Sequence, residues 1–122
     1  MSDDKYFVKA KIAKHNIGIY GRHIFFCAGP SCCDEDDGQK VWEHLKGELA
    51  EKDPEKKIFR TKAACLRICK SGPIALVYPE GTWYGNVGKK QLDKIIEQHL
   101  IGGEPVEELM IAVNPLASDS KD

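Results

Sequence analysis

The segment "GPIALVYPEGTWYGNV" (residues 72–87) predicts a β-hairpin, and the fold class is built outward from it. Residues 74–78 form a short apolar run that is typical of a buried strand. Pro79, Glu80 and Gly81 supply turn chemistry, and residues 82–87 return as the second strand. We therefore expect two adjacent antiparallel strands here.

The rest of the chain predicts two more strands and two helices. "HIFF" (23–26) reads as a strand that ends at Cys27, and "IFRTKAA" (58–64) as a strand that runs into Cys65. Apolar residues at helical spacing predict one helix ending at Asp53-Pro54 and another ending at Gly102-Gly103. The apolar positions of the two helices are Val41, Trp42, Leu45, Leu49, and Leu92, Ile95, Ile96, His99, Leu100. The order strand, helix, strand, hairpin, helix predicts an α/β fold in which helices flank a mixed sheet.

The two ends of the chain lie outside this pattern. Residues 1–21 are polar and basic with some alternation of apolar residues, and we interpret them as an N-terminal lead-in that forms an edge strand. Residues 22–112 are predicted to form the domain, and "EPVEELMIAV" (104–113), which runs to its end, is expected to add a short helix or strand. Residues 113–122 are predicted to be a flexible tail.

Composition limits the class of protein. The chain has 122 residues, which is enough for one domain with a real core, and its net charge is −1. No global charge directs it to nucleic acid or to a membrane surface, and we expect neither as a partner. We see neither an export signal at the start nor an apolar run of about 18 residues, so the expected compartment is the cytoplasm.

Five cysteines lie in two tight clusters, "CAGPSCC" (27–33) and "CLRIC" (65–69). In a reducing compartment clustered cysteines more often bind metal or perform redox chemistry than form disulfides, and an odd number argues against complete pairing. The redox motif C-x-x-C is absent. Spacers of four and three residues on two loops suit a two-iron centre, and a zinc site is the alternative.

The combination of C-x4-C, C-x3-C and the Gly-Pro step into the hairpin resembles the thioredoxin-like [2Fe–2S] ferredoxins. It also resembles the related small iron–sulfur subunit of respiratory NADH dehydrogenase and of NAD-linked hydrogenases. The resemblance covers residues 22–111 and implies a thioredoxin-like mixed β-sheet flanked by helices, with two cysteine-bearing loops that hold the cluster. Because such folds often keep a cis-proline beside the active loop, we expect a cis bond at Pro73.

The ligands implied by the resemblance are Cys27, Cys32, Cys65 and Cys69. Cys33 is the alternative to Cys32, since the two are adjacent; Cys32 is favoured because it keeps the C-x4-C spacing. Arg60, Lys62, Arg67 and Lys70 bracket the second loop and are expected to offset the cluster's charge or to meet an acidic partner. Leu66, Ile68 and Pro73 are expected to exclude water.

The function implied is that of a one-electron carrier, a ferredoxin with a single [2Fe–2S] cluster, rather than an enzyme. Its expected partners are a redox donor and a redox acceptor, and a second copy of the chain in a homodimer with its contact on the hairpin face, for which an exposed Trp83 would be suitable. Two alternatives stay open: a subunit of a larger NAD(P)H-linked oxidoreductase or hydrogenase, and a cluster-based redox sensor. The histidines at 15, 23, 44 and 99 show no metal spacing and are interpreted as surface or packing residues.

Overall fold

The computed structural model describes residues 2–27, 29, 34–68 and 72–115. In chain order, helix α1 is followed by strand β1, helix α2, strands β2, β3 and β4, helix α3 and strand β5. A π-helical segment continues α3, and a short 3₁₀ turn precedes β5. The bounds are α1 Ser2–Lys14, β1 Arg22–Cys27, α2 Glu35–Lys52, β2 Ile58–Ala63, β3 Ile74–Tyr78, β4 Thr82–Tyr84, α3 Lys89–Lys94, the π-helical segment Ile95–Ile101, the 3₁₀ turn Glu107–Leu109 and β5 Met110–Val113.

The five strands form one mixed sheet in the order β2-β1-β3-β4-β5. Strands β1 and β2 are parallel, whereas the β1–β3, β3–β4 and β4–β5 pairs are antiparallel. The long connection that parallel strands require is supplied by α2, which lies between β1 and β2 in the chain. The predicted α/β fold with a mixed sheet is confirmed, and so is the hairpin formed by β3 and β4.

Helices α2 and α3 cover one face of the sheet and enclose the core. Alternate residues of β1 and β3 point to that face, since side chains alternate along a strand. They pack against the apolar stripes of the helices that the sequence predicted. The buried residues of this core are Ile24, Phe26, Val41, Leu45, Leu49, Ala75, Val77, Tyr84, Val87, Leu92, Ile95, Ile96, Leu100 and Val106.

A polar chain of hydrogen bonds crosses this core and joins the hairpin to the last helix. The hydroxyl of Tyr84 lies 2.8 Å from Nδ1 of His99, and Nε2 of His99 lies 2.9 Å from the carboxylate of Glu80. Arg22 donates from two of its nitrogens to the same carboxylate. The backbone N–H of Val106 donates to the Tyr84 hydroxyl at 2.9 Å. The buried phenol and imidazole of this hydrogen-bonded group therefore both have partners, whereas among the described residues Oγ1 of Thr82 is buried without one.

These contacts shift the titration of the groups involved. Burial of its ring holds the pKa of His99 below its ordinary value, although the neighbouring carboxylate opposes this shift. Burial pushes the pKa of Glu80 up, but hydrogen bonds from Arg22 and His99 outweigh it and leave that pKa below its ordinary value. Burial raises the pKa of Tyr84. At neutral pH the chain therefore consists of a phenol, a neutral imidazole and a carboxylate paired with a guanidinium.

The N-terminal lead-in is helical, so the predicted edge strand was wrong. Residues 2–14 form α1, and the edge of the sheet beyond β4 is occupied by β5. The segment contains neither glycine nor proline and is rich in lysine and alanine, which favour a helix over the weak alternation that suggested a strand. Its apolar side chains Tyr6, Phe7 and Val8 are exposed, so α1 adds little to the core.

The C-terminal boundary lies slightly later than predicted. Val113 belongs to β5, whereas the sequence placed it in the tail, and residues 104–113 contribute both a 3₁₀ turn and a strand. The rest of the predicted tail is described only as far as residue 115, and residues 116–122 lie outside the described part of the chain. Among the described residues, no helix combines the length and the apolarity that a membrane crossing would demand.

Candidate metal centre

The two cysteine clusters follow neighbouring parallel strands. Cys27 is the last residue of β1, and its register partner in β2 is Ala63, two residues before Cys65. Because β1 and β2 run in the same direction about 4.8 Å apart, the loops that follow them leave the sheet at the same edge, the one formed by the carboxyl ends of these two strands. Residues 38 positions apart in the sequence are brought together in this way.

Strand β3 begins at the same edge and completes the frame of the site. Ile74, its first residue, is the antiparallel partner of Cys27. The peptide bond between Gly72 and Pro73, immediately before it, is cis, as the sequence predicted. A second cis bond, between Tyr78 and Pro79 at the other end of β3, was not predicted. Three segments therefore meet at one edge: the ends of β1 and β2 and the start of β3.

Cys27 is enclosed by apolar side chains. Only 1% of its surface is exposed, and it forms a small apolar cluster with Ile74, Leu66 and Trp83. Leu66 was predicted to exclude water from the site and lies here, whereas Ile68 is 40% exposed. Trp83 is half-buried by this contact rather than fully exposed. The role of Trp83 beside the first cysteine was missed, because the register that places β4 beside β3 cannot be read from the hairpin sequence alone.

Cys65 lies in a more open and more polar setting. Its side chain is exposed, and the backbone N–H of Arg67 donates to its Sγ at 3.2 Å. Arg67 itself has a φ of +74°, which non-glycine residues rarely adopt. An N–H donor at sulfur stabilises negative charge there, which a thiolate ligand requires.

The other candidate ligands lie outside the described residues. Cys32, Cys33 and Cys69 fall in the gaps at 30–33 and 69–71, as does Lys70. The four-cysteine ligand set and the choice between Cys32 and Cys33 therefore stay predictions.

Basic side chains project from β2 and from the second cysteine loop. On β2, exposed Arg60 lies over the ring of Trp42 at 5.8 Å, and exposed Lys62 donates to Gln39 at 3.0 Å. Both basic residues are thus held in place by α2. Arg67 continues this basic side into the second cysteine loop.

The acidic side is the start of α2, directly after the first cysteine cluster. Asp34 caps the helix, and its carboxylate accepts the backbone N–H of Asp37 at 3.2 Å. Residues 35–37 place three further acidic side chains in the first turn, where they offset the helix dipole. Residues 34–37 therefore form an exposed helix cap.

The described part of the site suits a metal centre with thiolate ligands. It holds one sulfur in an apolar enclosure and a second with an N–H donor, and the two strands that carry them converge on one edge of the sheet. Cysteine thiolate is the ligand of iron–sulfur clusters and also of zinc. The geometry alone leaves both metals open, and relatives decide between them.

Comparison with known proteins identifies the family. No protein-family model matches the chain. A 2Fe-2S ferredoxin from Aquifex aeolicus is 34% identical over 102 residues, covering 75% of this chain and 89% of the relative. A 2Fe-2S ferredoxin from Clostridium pasteurianum is 36% identical over 98 residues, covering 73% of this chain and 94% of the relative.

Solved structures give the same result. A crystal structure of a cysteine-to-serine variant of the thioredoxin-like [2Fe-2S] ferredoxin from Aquifex aeolicus superposes with a TM-score of 0.67 at 33% identity, covering 75% of this chain and 99% of that one. Another structure of a thioredoxin-like [2Fe-2S] ferredoxin from this organism gives a TM-score of 0.67 at 31% identity, covering 80% of this chain and 97% of that one. The resemblance predicted from the cysteine spacing and the hairpin is confirmed, and the chain belongs to the thioredoxin-like [2Fe–2S] ferredoxin family.

Proposed function

We propose that the protein is a one-electron carrier that binds a single [2Fe–2S] cluster through Cys27, Cys65, Cys69 and Cys32, with Cys33 as the alternative to Cys32. The observation that carries the proposal is the register between β1 and β2, which brings Cys27 and Cys65 to one edge of the sheet. The family relatives are named as 2Fe-2S ferredoxins, which supports the same cofactor here.

The cluster, when bound, supplies one-electron redox chemistry; the protein supplies its binding and its environment. The apolar cluster of Ile74, Leu66 and Trp83 keeps water from the Cys27 side. The amide of Arg67 donates to Cys65 and stabilises the negative charge on its sulfur. One side of the centre is therefore dry, and the Cys65 side is exposed and open to a partner.

The protein transforms no substrate itself and passes its electron between partner proteins in the cytoplasm. The acceptor or donor docks on the Cys65 side, where Arg60, Lys62 and Arg67 are exposed. Such a surface attracts an acidic partner and makes association faster at low ionic strength. Reversing the charge at Lys62 should slow electron transfer from an acidic redox partner and make its rate depend less on salt. Lys89→Glu, at the exposed start of α3, is the matched control and should leave both unchanged.

The outer face of the sheet supports the proposed homodimer. Opposite the helices, aromatic rings form a contiguous row that is only half-buried. His23 stacks on Phe25 at 4.0 Å, Phe25 meets Tyr78 edge-on, and Phe59 lies beside His23. A second copy that packs its hairpin on this row would bury these rings, which is the burial that apolar surface favours. Sedimentation equilibrium of Tyr78→Lys tests this: dissociation to monomers supports the contact, and an unchanged mass refutes it. Ile111→Lys on β5 is the control.

The test of the cofactor is an anaerobic visible spectrum before and after dithionite, with iron and sulfide assayed on the same sample. A coloured protein with two iron and two sulfide per chain that bleaches on reduction supports the carrier. Single serine substitutions at each of the five cysteines then identify the ligands. A colourless protein that contains zinc would overturn the proposal.

A further inference from the structure

A cluster of possible metal ligands lies on the helices, away from the cysteine loops. His44 and Glu48 are one turn apart on α2, and Asp93 faces them from α3. One ligand atom from each of the three side chains lies within 4.8 Å of the others. Nε2 of His44 is 2.7 Å from Oδ1 of Asp93. The described residues contain one such group, and no local pattern reveals it because Asp93 is 49 residues from His44.

We propose that His44, Glu48 and Asp93 bind one divalent transition-metal ion of the zinc class, independently of the cysteine centre. One imidazole nitrogen and two carboxylate oxygens form a donor set that zinc, cobalt and nickel accept, whereas magnesium and calcium prefer oxygen alone. Zinc holds such ligands at about 2.0–2.2 Å, which places them about 3.4 Å from one another on a tetrahedron. The side chains therefore need only small rotations, and water completes the coordination.

The burial of the three side chains suits an ion that enters from solvent. His44 and Glu48 are each 25% exposed and Asp93 is 46% exposed at the side chain. An ion can reach the group, yet the imidazole and the Glu48 carboxylate have already lost much of their water. Since the backbone of both helices is held by the core, the cost of ordering the ligands has been met in part by folding.

Charge balance also favours a divalent ion. Two carboxylates and a neutral imidazole carry a charge of −2, which an ion of charge +2 neutralises. When the imidazole donates from Nε2 to Asp93, binding needs the other tautomer: the proton leaves Nε2 and Nδ1 takes one up from water, so the ring stays neutral and the Nε2 lone pair faces the ion. The competitor is Lys52, which lies 3.0 Å from Glu48 and 3.0 Å from Glu97. Lys52 keeps its partner Glu97 when Glu48 turns to the metal.

The site is separate from the cysteine centre. His44 lies nine residues along α2 from Glu35, which is about 14 Å at 1.5 Å per residue. A metal bound here joins α2 to α3, the two helices that cover the core face of the sheet. It would stabilise the domain by mass action, since the three ligands come together only in the folded chain.

The test is a titration of the cluster-loaded protein with Zn²⁺ by isothermal calorimetry at pH 7.5, comparing the wild-type protein with His44→Gln. Each has the same cysteines, so zinc taken up by thiols cancels in the comparison. We expect one more zinc per chain in the wild-type protein, and an affinity at least tenfold lower in His44→Gln and in Asp93→Asn. His15→Gln and Glu43→Gln are matched controls that should bind as the wild-type protein does.

Two outcomes would overturn the site. One is equal zinc binding by wild-type protein and His44→Gln, which would mean an adventitious ion elsewhere. The other is the absence of the additional zinc from the wild-type protein at millimolar concentration. The visible spectrum and thermal midpoint of each variant, measured without zinc, show that it is folded. A colourless protein would count against the proposed carrier and leave this comparison intact.

Discussion

Replacing Tyr84 by phenylalanine tests the buried chain of hydrogen bonds that joins the hairpin to the last helix. Tyr84 is fully buried, and its hydroxyl both accepts the N–H of Val106 and donates to Nδ1 of His99. Burial raises the pKa of Tyr84, so the phenol keeps its proton and can donate at neutral pH. His99 must then carry its own proton on Nε2, from which it donates to Glu80.

The expected cost follows from the groups left without partners. Tyr84→Phe keeps the ring but leaves the Val106 N–H and the His99 Nδ1 unsatisfied in a buried site. An unsatisfied buried polar group costs about 1–3 kcal/mol, so with two such groups the free energy of unfolding should fall by about 2–6 kcal/mol. For a domain of this size 1 kcal/mol corresponds to about 4 °C, which predicts a loss of about 8–24 °C in thermal midpoint.

The assay is thermal unfolding of the cluster-loaded protein at pH 7.5, followed by far-UV circular dichroism. The matched control is Tyr78→Phe, because Tyr78 is half-buried on the outer face of the sheet, where the described residues give its hydroxyl no hydrogen bond. We expect the control to change the midpoint by less than about 2 °C, as surface substitutions usually do. A loss in Tyr84→Phe no larger than that in the control would refute the reasoning.

Three further predictions concern stability. Lowering the pH from 7.5 to 5.5 should destabilise the protein, because the pKa of His99 is lower in the folded state than in the unfolded chain, so the unfolded state takes up the proton first. In a pH series of thermal midpoints, the free energy of unfolding of His99→Gln should depend less on pH than that of the wild-type protein, by at most about 1.4 kcal/mol per pH unit. An equal dependence in the two proteins would contradict this. Gly81→Ala should lower the free energy of unfolding in urea by about 2 kcal/mol or more, because Gly81 has a φ of +72° and a Cβ there would lie 2.2 Å from the carbonyl oxygen of Asn114. The control Gly47→Ala, in open space on α2, should instead raise it by about 1 kcal/mol. Asp34→Ala removes the cap of α2 and should cost about 1 kcal/mol in the same measurement, whereas Asp34→Asn should restore most of it.

The strands and helices of the domain could be predicted because their signals are local. The apolar run from Ile74 to Tyr78 is marked as a strand by its short length and the turn that follows it, and the spacing of Val41, Leu45 and Leu49 fits the helical period. Residues 1–21 lacked such a period. Weak alternation pointed to a strand, whereas helix propensity over residues 2–14 decided the outcome.

The cofactor class could also be read from the chain: the spacing of the cysteines and the hairpin that follows them predicted a [2Fe–2S] ferredoxin, and the relatives are named as such. What surrounds each sulfur could not. Trp83 reaches Cys27 only through the pairing of β4 with β3 and of β3 with β1, and the amide of Arg67 reaches the Cys65 sulfur only through the conformation of the loop that carries both. These contacts set water access and charge at the centre; the first depends on strand register and the second on the backbone of the loop.

The sequence by itself determined the strands and helices with clear local signals, the cysteine thiols available as ligands, and the family. The tertiary structure decided which distant residues meet: Cys27 with Cys65 at one sheet edge, and His44 with Asp93 between two helices. The physical reason is the distance along the chain over which each effect acts. Propensity, capping and turn chemistry act over a few neighbouring residues, whereas strand register and helix packing are fixed by the burial of the whole core and join side chains that no local pattern connects.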